Sequence, residues 1–130
     1  MQKPVLISVV DDDVSSRESL PDLLRALGFA ALPFASAEDF LASDALTGTQ
    51  CLILDVSMPG MSGPELQSEL VRRELDLPII FITAHCDRDL RADLLARGAV
   101  ECLFKPFSER DLRSALDRAL RETAQSERRA

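Results

Sequence analysis

The feature that most constrains the fold is the unbroken apolar run from Cys51 to Leu54, which ends in Asp55 and is followed by the turn residues Pro59 and Gly60. A short apolar run bounded by turn signals is typical of a strand that is covered on both faces, as in parallel sheets. Asp55 is therefore expected at the carboxyl end of a strand, the edge at which open α/β sheets hold ligands. An aspartate in that position more often caps a turn, so its role depends on what the other strands bring to the same edge.

Apolar segments of this kind alternate with helical patterns along the chain. Strands are predicted at residues 5–10, 30–34, 51–55, 78–83 and 100–104, and each is followed by leucines or other apolar residues at helical spacing. Strands that alternate with helices form a parallel sheet that is covered by helices on both faces and joined by right-handed crossovers. At 130 residues, the chain is expected to form one α/β domain.

Two prolines refine this prediction. Ser15 to Glu18 has the spacing of a capping box for the first helix. Pro21 then lies too deep for the first turn, so we expect either a kink or a helix that starts later. Pro33 places the second strand at an edge of the sheet, because proline cannot donate to a ladder.

Two segments lack periodicity. Residues 44–50 are predicted to form a polar loop, and the chain turns polar from about Arg121. We therefore expect the folded domain to span residues 1–122, with 123–130 as a polar tail or the start of a linker to an output domain.

Composition limits the compartment and the partners. The 15 basic and 22 acidic residues give a formal charge of −7, which argues against direct contact of this domain with nucleic acid. Three cysteines without a Cys-x-x-Cys spacing indicate free thiols in a reducing compartment. Residues 5–10 are too short for a signal peptide core and no stretch reaches membrane-spanning length, so a cytoplasmic protein without membrane contact is expected.

Polar side chains follow four of the predicted strands at one edge of the sheet. They are Asp11, Asp12 and Asp13 after the first strand, Asp55 after the third, Thr83 after the fourth and Lys105 after the fifth. Crowded carboxylates stay ionised at neutral pH only if a cation neutralises them. Oxygen ligands suit a hard divalent ion, and Mg²⁺ commonly shares its coordination sphere with phosphate oxygens.

Such a cluster also suits phosphoryl transfer. A carboxylate can attack phosphorus and form an aspartyl phosphate, which a metal ion, an ammonium group and a hydroxyl would stabilise. The sequence has no glycine-rich nucleotide-binding loop. The phosphoryl group must therefore arrive on a donor, such as another protein or a small acyl phosphate.

Four short motifs give the chain a resemblance to a known family. They are the acidic run after Val10, Asp55 with residues 58–63 behind it, Ile82-Thr83-Ala84, and Lys105-Pro106-Phe107. With these motifs the sequence resembles a receiver domain of the two-component response regulators, and most of all the FixJ-like branch, over about residues 4–122. The resemblance implies a flavodoxin-like (βα)5 fold and a signalling switch rather than an enzyme, apart from self-phosphorylation and autodephosphorylation.

The resemblance assigns roles to the clustered residues. Asp55 would be the phosphoacceptor, and Thr83 and Lys105 would hold the phosphoryl oxygens. The Mg²⁺ ligands would be Asp12 directly, Asp11 through water, the Asp55 carboxylate and the Ser57 main-chain carbonyl. Asp13 would stay solvated or cap the first helix.

Residues next to the cluster are candidate modulators. Ser57 and His85 lie where residues of this family affect water access and the lifetime of the phosphoryl group, although His85 could also be a bystander. Cys86 could be a redox-sensitive thiol, but nothing visible in the sequence lowers its pKa. The other two cysteines are expected in the core, and the Lys105-Pro106 bond is a candidate for a cis peptide bond, which is usual in the family.

One position departs from the family pattern. Most receivers have an aromatic switch residue three positions before the lysine, and here that residue is Cys102. A thiol cannot act as a bulky rotamer switch, whereas Phe104 lies on the same strand face and could replace it in part or belong to the core. We therefore expect the signal to pass from Thr83 through the loop from Ala84 to Asp87 and on to the fourth helix. The surface that changes would be formed by the fourth helix, the fifth strand and the fifth helix.

Three other functions remain open from the sequence. A haloacid-dehalogenase-like phosphatase also uses an aspartate at a strand end, an acidic pair, a hydroxyl and a lysine, but this chain is short and lacks a cap insertion and a late acidic pair. A pseudo-receiver would only bind partners, and the intact set of Asp12, Asp55, Thr83 and Lys105 argues against it. A stand-alone receiver would show the same sequence.

The resemblance also predicts the partners. They are a sensor histidine kinase and, after phosphorylation, a second copy of the chain. The predicted output is transcription, through a helix-turn-helix domain outside this chain.

Overall fold

A five-stranded parallel sheet forms the centre of the fold. The computed structural model describes residues 4–85 and 87–129. The strands are β1 (Leu6–Val10), β2 (Ala30–Phe34), β3 (Cys51–Asp55), β4 (Ile79–Thr83) and β5 (Glu101–Phe104), in the spatial order β2-β1-β3-β4-β5. After β2 the chain returns past β1 to β3, so β1 and β3 are neighbours where the direction of winding changes. At such a point, α/β sheets leave a crevice outside the carboxyl ends of the strands.

Helices cover both faces of the sheet. They are α1 (Val14–Ala26), α2 (Ala37–Leu41), α3 (Gly63–Arg72), α4 (Arg88–Ala96) and α5 (Glu109–Arg129). One buried cluster packs α1 and α5 against the sheet through residues such as Leu24 and Leu116. The other packs α2, α3 and α4 against the opposite face through Phe40, Leu66 and Leu94. The predicted doubly wound sheet is therefore confirmed, and every residue of β3 and β4 is buried as their apolar runs predict.

The first helix begins at Val14, as expected if Asp13 caps it and earlier than a capping box from Ser15 predicts. Asp13 is its N-cap, because its carboxylate accepts hydrogen bonds from the Ser15 N–H at 3.2 Å and the Ser16 hydroxyl at 3.3 Å. The predicted capping box from Ser15 is wrong, since aspartate caps a helix as well as serine does and comes first in the chain. Pro21 lies inside α1 and is buried, so the alternative of a late start is also wrong. Proline removes one backbone hydrogen bond there without ending the helix.

Three other segments refine the prediction. Pro33 lies in β2, which is an edge strand as predicted. Residues 44–50 are not wholly irregular, because Asp44–Leu46 forms a 3-10 helix capped by Ser43.

Helix α5 continues to Arg129, although the sequence predicts a loss of regular structure from about Arg121. The polar residues after that point include good helix formers, which favour a helix without an apolar stripe. A domain boundary at residue 122 stays a prediction.

The start of α3 lies directly against the end of β3. A Cβ atom at Gly63 would collide with the main-chain oxygen of Asp55 and would lie 3.0 Å from the Phe81 ring. The Gly63 N–H also donates to the Val56 carbonyl at 3.0 Å. The missing side chain thus lets α3 support the main chain at the point where the Asp55 side chain leaves it.

Among residues 4–85 and 87–129, no helix has both the length and the apolar character needed to cross a membrane.

Candidate functional site

Three aspartates meet at the carboxyl ends of β1 and β3. Asp11, Asp12 and Asp55 each bring a carboxylate oxygen within 4.8 Å of the other two. Asp11 is fully buried, Asp55 is 8% exposed and Asp12 is exposed. The three carboxylates therefore converge as the sequence predicts, whereas Asp13 points to the cap of α1 instead. Their roles as ligands stay predictions.

Lys105 reaches this cluster from just beyond the end of β5. Its Nζ lies 2.9 Å from Asp11 Oδ2, and its side chain remains 23% exposed. Burial alone would lower the pKa of Lys105, but the hydrogen bond and the charge of Asp11 raise it overall, so the ammonium stays charged. An ammonium group has three donors, and the bond to Asp11 leaves others for an incoming anion.

Crowding separates the pKa values of the two buried aspartates. Burial, followed by the hydrogen bond and the charge of Asp11, raises the pKa of Asp55 to about 7. Burial would also raise the pKa of Asp11, but hydrogen bonds from Lys105, the Asp13 N–H and Asp55 lower it overall. Below about pH 7 the pair therefore holds one proton, which lies mainly on Asp55. A divalent cation at the same oxygens would displace this proton, so the donor set fits Mg²⁺.

Thr83 connects the site to the segment before α4. Its side chain is buried, and its Oγ1 accepts a hydrogen bond from the His85 N–H at 3.2 Å. The same hydroxyl lies 3.5 Å from the His85 carbonyl oxygen, to which it can donate. Ala84 and His85 are exposed, and Asp87 caps α4. The predicted thiol of Cys86 lies outside the described residues.

Ser57 and Pro106 lie beside the cluster. The Ser57 N–H donates to Asp55 Oδ1 at 3.4 Å, which places the Ser57 main chain next to the carboxylate. The Ser57 side chain is exposed. The Lys105-Pro106 peptide bond is cis, as the resemblance suggests.

Cys102 and Phe104 share one face of β5. Cys102 is 3% exposed within the buried cluster that contains Phe81, and Phe104 packs against the same cluster. Burial raises the pKa of the Cys102 thiol to about 11, so this thiol stays neutral. Cys51 is buried too, which confirms that both cysteines belong to the core.

An ion network that the sequence did not predict spans β5. Glu101 Oε1 lies 2.6 Å from Arg91 Nη2 on α4, and Glu101 Oε2 lies 2.7 Å from Arg118 Nη2 on α5. Burial would raise the pKa of Glu101, but hydrogen bonds from the Cys102 N–H, Arg118 and Arg91 lower it overall. A lone acid in an otherwise apolar strand was the available signal, because a carboxylate there needs cationic partners.

Comparison with known families places these features in context. The family profile described as the response regulator receiver domain matches residues 7–117. Nodulation protein W of Bradyrhizobium diazoefficiens is 42% identical over 111 residues, which cover 85% of this chain and 49% of that protein. The transcriptional regulatory protein FixJ of the same organism is 38% identical over 118 residues, or 89% of this chain and 57% of FixJ. The chain thus spans about half the length of the curated relatives it matches.

Solved structures show the same fold. The response regulator StyR superimposes with a TM-score of 0.88 and 41% sequence identity, over 97% of this chain and 64% of that one. The crystal structure of FixJ-N gives a TM-score of 0.81 and 35% identity, over 93% of this chain and 96% of that one. The likeness therefore extends over nearly the whole fold.

Proposed function

Since the chain belongs to the family of response regulator receiver domains, we propose that it is a signalling switch controlled by phosphorylation of Asp55. Receiver domains partner with sensor histidine kinases in two-component systems, so the proposed donor is a kinase phosphohistidine. The observation that carries this proposal is the convergence of the Asp11, Asp12 and Asp55 carboxylates with the Lys105 ammonium at one edge of the sheet.

In the proposed reaction, Asp55 is the nucleophile. An oxygen of its ionised carboxylate attacks phosphorus, the new O–P bond forms as the N–P bond to the kinase imidazole breaks, and the leaving nitrogen takes up a proton. The Lys105 ammonium holds a phosphoryl oxygen with the donors that Asp11 does not use. The Thr83 hydroxyl holds a second phosphoryl oxygen.

Mg²⁺ is the proposed cofactor. Asp12 and Asp55 would hold it directly, Asp11 through water, and the Ser57 carbonyl would be the main-chain ligand. When bound, the ion supplies positive charge that neutralises the carboxylates and the phosphoryl oxygens. The raised pKa of Asp55 supports this assignment, because burial and the neighbouring Asp11 both disfavour the charged carboxylate, which a bound cation would favour.

The proposed output signal starts at Thr83. Its hydroxyl contacts the main chain of His85, so a new bond to a phosphoryl oxygen changes the contacts of the Ala84 to Asp87 segment and shifts α4. Cys102 is too small to act as a bulky switch, and Phe104 already packs against the core. A surface made by α4, β5 and α5 would then support association with a second copy of the chain.

The proposed end point is control of transcription. Relatives named as transcriptional regulators are about twice as long as the region they share with this chain. We infer a helix-turn-helix output domain outside this chain, which would make the DNA contacts. A formal charge of −7 fits a domain that does not contact nucleic acid itself.

The acceptor assignment has a direct test. With acetyl phosphate and Mg²⁺, the wild-type chain is expected to gain one phosphoryl group in intact-mass analysis, and Asp55→Asn none. Asp13→Asn is the matched control, because it removes a neighbouring carboxylate but keeps a good N-cap for α1, and it should be phosphorylated normally. An undiminished adduct in Asp55→Asn would refute the assignment. Release of many phosphates per chain would favour a phosphatase of the haloacid-dehalogenase type.

A further inference from the structure

The Arg17 guanidinium contacts the main chain of Asp11 and Asp12. Its Nη1 donates to the carbonyl oxygen of Asp12 at 2.9 Å and to that of Asp11 at 3.2 Å. This nitrogen carries two N–H groups, so it can serve both carbonyls at once. Arg17 is half-buried in the first turn of α1, where its own N–H donates to the Asp13 carbonyl at 3.1 Å. The helix start and the end of β1 are thus joined through one side chain.

Asp11 and Asp12 depend on this contact to different degrees. Asp11 is also fixed by its N–H bond to the Phe34 carbonyl at 3.1 Å and by Lys105 on its carboxylate. Asp12 is exposed, so packing does little to fix its side chain. Its carbonyl makes the shorter of the two bonds to Arg17. Loss of Arg17 would therefore affect Asp12 most.

We propose that Arg17 is a positioning residue for the cation site. By holding the carbonyls of Asp11 and Asp12 towards α1, it keeps their carboxylates close enough to Asp55 for one divalent ion to be held by Asp12 and Asp55 directly and by Asp11 through water. This inference rests on the proposed function of the site and adds a residue to which neither the motifs nor the family resemblance gave a role.

The direction in which Mg²⁺ affinity changes when Arg17 is replaced distinguishes a positioning role from a purely electrostatic one. Arg17 is a cation close to a cation site, so removing its charge alone would make the site more negative and would tighten Mg²⁺ binding. Loss of positioning has the opposite effect. Groups that orient metal ligands typically change metal affinity about 10–100-fold. We expect the lower end, a roughly 10-fold weaker affinity, because Asp11 keeps its other contacts.

Calorimetric titration of the full chain with MgCl₂ tests the proposal. Arg17→Gln is expected to raise the Mg²⁺ Kd roughly 10-fold. Arg17→Lys should give an intermediate value, because lysine keeps the charge but lacks the rigid, planar donor arrangement of a guanidinium. Arg25→Gln is the matched control. Arg25 lies on the same helix and donates to the Ala31 carbonyl at 2.9 Å, away from the site. Loss of the Arg25 charge should leave the Mg²⁺ Kd within about twofold of the wild-type value, since salt largely screens an exposed charge outside the site.

A second readout checks folding. Melting temperatures in EDTA, followed by circular dichroism, should fall by similar amounts in the two variants. Arg17→Gln loses two carbonyl bonds, and Arg25→Gln loses one carbonyl bond and the ion pair with Asp22.

Two results would overturn the proposal: Mg²⁺ binding by Arg17→Gln that equals or exceeds that of the wild type, or an equal loss in Arg25→Gln. If Arg17→Gln does not fold, Arg17→Lys decides the matter, and a Kd at or below the wild-type value refutes positioning. A wild-type chain that binds no Mg²⁺ would refute the proposed function together with this inference. A normal wild type without the Arg17 effect would refute the inference alone.

Discussion

Asp11, Asp12 and Asp13 are consecutive in the chain, yet each has a different environment. Asp11 is buried against Lys105, Asp12 is exposed beside Asp55, and Asp13 caps α1. These differences arise because β1 ends at Val10 and α1 begins at Val14, so the three residues turn through the junction between a strand and a helix. Of the two carboxylates nearest to Asp55, only that of Asp12 is therefore open to solvent.

For Asp12 we expect a measurable loss of metal binding on substitution. An open site of two or three carboxylates completed by water should bind Mg²⁺ weakly, in roughly the millimolar range. Asp12→Ala should abolish this binding in calorimetry, whereas Asp13→Asn should retain it. Equal affinity in Asp12→Ala and the wild type would contradict the ligand assignment.

Sequence reasoning at this scale identified the residues that carry charge but not how their backbone is held. Asp11, Asp55 and Lys105 were predictable, because parallel strands bring their carboxyl ends to one edge. Arg17 was missed, since its partners are main-chain carbonyls that have no sequence signature. The sequence left two N-caps open, Asp13 alone and the capping box from Ser15, because both residues are good caps and only the end of β1 decides between them.

Helix α4 has polar contacts near it and along it, in addition to the apolar packing of Leu94. Before its N-terminus, Thr83 contacts the main chain of His85, which is exposed. Further along, Arg91 pairs with Glu101 on β5, and Glu101 also pairs with Arg118 on α5. A shift of α4 would therefore change the Arg91–Glu101 ion pair, which belongs to a network that links α4, β5 and α5.

The route of the signal can be tested by self-association with and without beryllium fluoride, a mimic of the phosphoryl group. We expect Thr83→Ala to abolish the increase in association that the mimic causes in the wild type, because the hydroxyl is the link to the His85 main chain. Cys102→Ala is the matched control in the same region, and it should retain the increase. The shift is expected to be modest, on the order of 1–3 kcal/mol. The opposite pattern in the two variants would show that the signal passes through β5.

The order and type of the elements were predictable because each strand is an apolar run and each helix has a regular apolar stripe. The ends were harder to predict. Helix α5 continues to Arg129 through polar residues whose intrinsic preference is helical. The Glu101 network was missed because its arginines lie 10 residues before and 17 residues after the glutamate in the chain.

The site lowers the folding stability of the domain. Asp55 has a pKa of about 7, compared with an ordinary value of 3.8. A carboxyl group whose pKa is raised by folding contributes stability that is complete below the unfolded pKa and is lost as pH rises through the folded pKa. The window set by Asp55 therefore runs from about pH 4 to about pH 7.

This linkage predicts the pH dependence of unfolding in EDTA. Between about pH 6 and pH 8, ionisation of Asp55 should lower the free energy of unfolding by about 1 kcal/mol. Asp55→Asn has a similar shape without the charge, so it should lack this part of the pH dependence and be more stable than the wild type at the higher pH. Urea unfolding at both pH values is the measurement. A difference between the two proteins that does not change with pH would contradict the pKa of Asp55.

Gly63 makes one side of the site stiff. The start of α3 supports the main chain of Asp55 from behind, and β3 is buried along its whole length. This strand has no room to yield when a phosphoryl group is added to the Asp55 side chain. The opposite side is formed by Ala84 and His85, which are exposed and so less constrained by packing. In a switch of the proposed kind, the direction of movement is therefore set before any ligand binds, from a rigid support at α3 towards the start of α4.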